Sequence, residues 1–122
     1  MAPIWKTLII MMSFFIKKTV LASGCIINSC SDVDSTIRFN KNIGQVCSIL
    51  ECKNQKYFLV KKYLTIEDFF FEPICSSEVG VFLVNKLSDS YTVLKYTSDV
   101  RKCLLLPYKA KFVAVEMIHA VS

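Results

Sequence analysis

Six short apolar runs, each closed by a turn, follow one another between Ile43 and His119 and restrict this chain to a β-rich fold. They are Ile43–Cys52, Tyr57–Leu64, Val79–Leu87, Tyr91–Tyr96, Lys102–Tyr108 and Phe112–Ile118. All are rich in β-branched and aromatic residues, and strands of this length and spacing build a small sandwich or barrel. Such barrels commonly bind peptides or nucleic acids. The expected fold is mainly β: a small antiparallel β-barrel with an SH3-like core, preceded by a short N-terminal helix.

Upstream, Thr19–Asn28 reads as a first strand interrupted by Gly24. Thr36–Asn40 alternates, with Ile37 and Phe39 on one face and Arg38 on the other. Lys41-Asn42-Ile43-Gly44 is expected to turn the chain. Beyond it Val46, Ser48 and Leu50 share one face, and Cys47, Ile49 and Glu51 the other. Lys53-Asn54-Gln55-Lys56 reads as a four-residue loop of a hairpin spanning 45–64. Thr65 is placed to cap a short helical turn with Asp68 three residues on, and Pro73 ends regular structure after the Phe run.

A chain of 122 residues fits one domain. The organisation expected is an apolar N-terminal helix or extension over 1–18 and a single β-barrel domain over 19–122. Thr7–Ile16 is an apolar run of 10 residues, well short of the roughly 20 that a spanning helix needs, so no membrane partner is expected. A signal peptide with a cleavage zone at Leu21-Ala22-Ser23-Gly24-Cys25 fits in outline. Lys17 and Lys18 stand where such a boundary is usually uncharged.

Hydrophobic residues make up 53% of the chain and mean hydropathy is +0.44, which calls for a large core or a sticky surface. The net charge of +5 favours an anionic partner in bulk. Its lysines are scattered in pairs rather than aligned in a dense stripe, so nucleic acid is expected to make weak contact at most. The six cysteines lie largely in or beside apolar runs, where a reduced thiol behaves as a small hydrophobe. This points to an intracellular setting. A small secreted or membrane-associated β-protein with disulfides is the alternative, and a functionless mobile-element fragment a further one.

No enzyme is expected. His119 is the single histidine, with nothing around it to complete a triad. Gly24, Gly44 and Gly80 are too far apart for a phosphate loop. Glu67 and Asp68 are adjacent, so on a strand or turn they point apart. Cys47 and Cys52 stand at opposite ends and on opposite faces of one strand, which disfavours zinc; neither metal nor cofactor is expected. The remaining candidate is a binding surface. Phe69-Phe70-Phe71 is interleaved with Glu67, Asp68 and Glu72, and aromatic faces beside carboxylates suit a methylated ammonium ion. Three consecutive Phe cannot all point inward.

The order of the pieces resembles a bromo-adjacent homology (BAH) domain over roughly residues 43–106. The resemblance is carried by Gly44–Ile49, by Lys61–Leu64 followed by Thr65–Phe69, by Ser77–Phe82 and by Val100–Leu105. The Arg-Pro that the family places before its acidic turn is replaced by Tyr63-Leu64. The module is also similar to one in uncharacterised proteins associated with animal mobile elements. The resemblance implies a β-barrel that docks on chromatin proteins or histone tails, with a possible nuclear location, and carries over Tyr63, Glu67 and Asp68. The expected contact set is therefore Tyr63, Glu67, Asp68, Phe70 and Glu72, and the expected function is recognition of a protein or peptide, histone or nucleosome included.

Overall fold

The computed structural model describes residues 14–22, 24–31 and 34–117. The strands are β1 (Phe14–Ile16), β2 (Lys18–Val20), β3 (Ile26–Asn28), β4 (Thr36–Phe39), β5 (Asn42–Cys52), β6 (Gln55–Asp68), β7 (Val81–Leu87), β8 (Thr92–Lys95), β9 (Arg101–Tyr108) and β10 (Lys111–Glu116). The chain is thus mainly β, and every strand pairing is antiparallel. The six apolar runs of the sequence all become strands, β5 to β10, with ends shifted by a few residues.

The long hairpin β5–β6 organises the rest. Its turn is Lys53-Asn54, with φ of 49° and 65°, and Cys52 faces Gln55 across it. The connection is therefore a two-residue turn, not the expected four-residue loop. Positive φ at both central residues matches the twist of the flanking strands. Following the pairings from β5 through β4, β9, β10, β7 and β6 leads back to β5. Two short strands are added to this circuit: β8 on β6 opposite Tyr57–Val60, and β1 on β5 opposite Ile49–Glu51. β4 covers the same edge of β5 only as far as Gln45, which leaves the backbone groups beyond it open for β1. The described end of the expected N-terminal helix is accordingly strand. Residues 1–13 and His119 lie outside the described residues.

Two further expectations are corrected. Thr19–Asn28 is not one interrupted strand but the hairpin β2–β3, with Thr19 opposite Ile27. Thr65–Asp68 is not a helical turn: β6 continues through it, because Thr65 to Asp68 pair with Asn85 to Phe82 of β7. The cross-strand ladder outweighs a local cap.

Cys47 is an extra residue in β5. Val46 faces Val60 while Ser48 faces Leu59, so the alternation slips by one at this bulge. Val46 and Ile49 consequently enter the same core cluster, although the sequence pattern assigns them to opposite faces. That cluster also holds Ile37, Phe39, Phe58, Val60 and, from the β2–β3 layer, Leu21 and Ile27. A second cluster collects Ile43, Tyr63, Phe82, Val84, Cys103 and Ala114. β4 is buried on one face and partly covered on the other: Ile37 and Phe39 join the first cluster, while the Arg38 guanidinium lies over the Phe82 ring, 4.8 Å from its centroid. The buried apolar residues are thus divided between two cores, while Leu64, Phe71, Ile74 and Val79 stay exposed.

Candidate docking surface

Between β6 and β7 the chain makes a loop whose ends are tied down from inside. Ser76 is fully buried. Its hydroxyl accepts the Phe69 N–H at 2.7 Å and donates to the Val81 carbonyl at 2.8 Å. The Ser76 N–H donates to the Phe70 carbonyl at 2.8 Å. One side chain thereby satisfies backbone groups from both ends of the loop. Ser76–Val79 forms a single 3-10 turn that ends at Gly80, with φ of 77°. The Gly80 carbonyl accepts the Glu116 N–H at 2.8 Å, and a Cβ at Gly80 would stand 2.9 Å from Glu116 Cβ. Only glycine combines this φ with so close an approach.

Asp68 belongs to the same knot. Hydrogen bonds from Ser77, its hydroxyl first and then its backbone N–H, hold the Asp68 carboxyl below its ordinary value of 3.8. The Ser77 N–H lies 2.7 Å from Oδ1. Because the folded-state value is depressed, the stability contribution is present above the ordinary carboxylate range and is lost as pH falls through the folded-state value. Asp68→Asn is therefore expected to flatten the loss of stability on acidification below about pH 4. Denaturation midpoints of both proteins across the acid range check this; parallel curves for the two would refute it.

What the tethered loop shows to solvent is apolar and acidic. Phe71 is 66% exposed, Ile74 44% and Val79 51%. Behind them Phe69 sets its edge on Tyr108, with centroids 4.9 Å apart, and Phe70 stands edge-on to Phe69 at 6.4 Å. From Tyr63 to Asn85 the chain carries four acidic residues, Glu67, Asp68, Glu72 and Glu78, and no basic one, within a protein of net charge +5. Glu67, Glu72 and Glu78 are exposed, and Glu67 lies 3.4 Å from Lys111 Nζ.

Of the residues expected at the contact, the structure brings Glu67, Phe70 and Glu72 to this loop or its base. Phe70 is half-buried and Glu67 and Glu72 are exposed. The Asp68 carboxylate is turned to Ser77. Tyr63 is placed elsewhere: it is only 7% exposed and packs in the second core cluster with Ile43 and Phe82. Sequence reasoning missed Ile74, Glu78, Val79 and Tyr108. An apolar residue at 74, set among Pro73 and Cys75-Ser76-Ser77 outside any strand pattern, was the available signal.

Beside the loop lies a polar cleft of about 260 Å³, lined by Arg38, Asn40, Asp99, Arg101 and Glu116. Glu116 bridges the two arginines: Oε2 meets Arg38 Nη1 at 2.6 Å and Oε1 meets Arg101 Nε at 3.2 Å. A second cleft of about 290 Å³ is lined by Arg38, Glu116 and residues Ser77 to Gly80 of the loop. The two share Arg38 and Glu116 in their linings. On the same face of the sheet, burial and then the charge of Glu116 push the Cys103 thiol up to about 12, so it is an inert core group. All six cysteines are free thiols. Among the described residues no group of three or more His, Cys, Asp or Glu converges as a metal site, and no helix is long and apolar enough to cross a membrane.

Fold and surface together define the class: a mainly β, antiparallel domain that presents an internally hydrogen-bonded loop of apolar and acidic side chains. The chain belongs to the family described as a domain of unknown function, DUF8592, whose model matches residues 6–117. No curated protein and no solved structure matches the chain.

Proposed function

We propose that this domain is a non-catalytic recognition module that binds a basic, apolar segment of a partner protein along the 69–79 loop. The observation that carries the reading is the loop's construction. Phe71, Ile74 and Val79 are large apolar side chains held in water by a segment whose two ends are hydrogen-bonded into the sheet. Pre-ordering lowers the entropy cost of binding. A rigid exposed aromatic with an acidic rim is the form of a binding hot spot for a cationic partner. In this reading the closed circuit of strands is a small barrel of SH3-like type that supports the loop. A BAH-like relationship would fit the same picture, since histone tails are basic segments of this kind, and the protein would then act inside the cell, in the nucleus.

Phe71→Ala combined with Glu72→Gln is expected to weaken binding at least about tenfold, the size of a hot-spot loss, without moving the thermal midpoint. The measurement is fluorescence anisotropy against an array of basic-apolar peptides that includes histone tails, with mononucleosomes alongside. If no probe binds in a manner that depends on Phe71, the reading fails.

A further inference from the structure

Building on the docking reading, we infer that the cleft between Arg38 and Arg101 receives a carboxylate of the bound partner, either its chain terminus or an acidic side chain. Three observations carry this.

The first is donor surplus. Each guanidinium offers a fork of N–H donors and no acceptor. Arg101 gives Nε to Glu116 and Arg38 gives Nη1. The paired terminal nitrogens of Arg101, the edge that matches a carboxylate in bidentate geometry, have no acceptor among the described residues. Arg101 is half-exposed and faces an open cleft of about 260 Å³.

The second is pre-ordering. Arg38 is held by the Phe82 ring on one side and by Glu116 on the other. Glu116 in turn is positioned by the Gly80 carbonyl. The acceptor that orients both arginines is thus fixed by the end of the docking loop itself.

The third is continuity. The cleft lined by Ser77 to Gly80 adjoins the arginine cleft, and Arg38 and Glu116 line both. A segment that leaves Val79 along this path arrives at the free guanidinium edges. Asp99 and Glu116 make the lining formally neutral, so it is the surplus of donors, not net charge, that selects the guest. Asp99 suits the amide N–H of a peptide beside its carboxylate and repels the second negative charge of a phosphate dianion.

The test is a side-chain NMR titration of the full chain, following the arginine N–H signals. The probes are acetyl-diglycine for a chain terminus, N-acetylaspartate amide for a side-chain acid, acetyl-diglycinamide as the uncharged control, and inorganic phosphate. The expected result is saturable shifts of the Arg101 and Arg38 signals with either carboxylate and none with the amide. Arg101→Gln, at a half-exposed position, is expected to weaken binding about two- to fivefold, in line with a partly exposed charged contact. Shifts that never saturate, equal response to the amide, preference for phosphate, or unchanged affinity in Arg101→Gln would each overturn the assignment. Peptide binding that depends on Phe71 but not on Arg101 keeps the docking loop and removes the carboxylate site. Carboxylate binding that depends on Arg101, with no Phe71-dependent peptide, keeps the site and removes the loop.

Discussion

Gly44→Ala is expected to destabilise the protein by about 3 kcal/mol or more, at the upper end of what overpacking costs. Gly44 lies in the middle of the sheet, opposite Ile37 of β4 on one side and Lys62 of β6 on the other. A Cβ there would stand 2.6 Å from Val60 Cγ1 and 2.7 Å from the Lys61 carbonyl oxygen. The first contact is with a side chain that could be trimmed. The second is with backbone, and relieving it means parting two strands that are each held on their far edges as well. A glycine inside a strand often marks such an approach of another backbone. Urea denaturation should show a lower midpoint at unchanged slope. Val60→Ala in the Gly44→Ala background should recover little, since the carbonyl contact stays. A loss below about 1 kcal/mol would show that the β5–β6 pair opens more easily than this packing implies.

Ser76→Ala is expected to cost about 3 kcal/mol, and to take the docking surface with it. The substitution is nearly isosteric, so no large cavity forms. It leaves the Phe69 N–H and the Val81 carbonyl without their partner in a place that water does not reach, since Ser76 is fully buried. Each orphaned buried group costs roughly 1–3 kcal/mol. Because these bonds close the loop at both ends, the loss should also be local: amide exchange at Ser77 and Glu78 should accelerate well beyond the change at Val84 in the core. Peptide affinity should fall with it although Phe71 is untouched. If Ser76→Ala kept both its thermal midpoint and the slow exchange of Ser77, the loop would be ordered by something other than this hydroxyl, and the pre-ordering argument would go with it.

The strand content was legible because it is written locally. Apolar and β-branched runs such as Val79–Leu87 and Lys102–Tyr108 want a pleated, half-buried surface wherever they fall, and they became β7 and β9. The alternation of Ile37, Arg38 and Phe39 was legible for the same reason. Local signals failed where a distant partner competed with them. Thr65 and Asp68 resemble a cap but are extended, because β7 supplies a ladder to pair with. Gly44 resembles a turn residue but sits mid-strand, with the turn displaced to Asn40 and Lys41 ahead of it; Asn40 takes φ of 53°.

The candidate site divides in the same way. Glu67, Phe70 and Glu72 could be named from sequence, since consecutive aromatics among acids cannot all be core. Tyr63 could not be sorted from them, because an aromatic on a strand reads alike whichever face is buried. The bulge at Cys47 reverses the faces of β5 beyond it, and no periodicity reveals a slip of one residue. By itself, then, the chain's pattern determined an antiparallel β domain and an aromatic, acidic segment unsuited to a core. The tertiary structure alone decided that Ser76 ties this segment down, that Val79 and Ile74 join it at the surface, and that Arg38, Arg101 and Glu116 meet beside it. Those contacts link residues as far apart as Arg38 and Glu116. They exist only once the circuit of strands has closed, because backbone pairing, not sequence proximity, sets which side chains share a face.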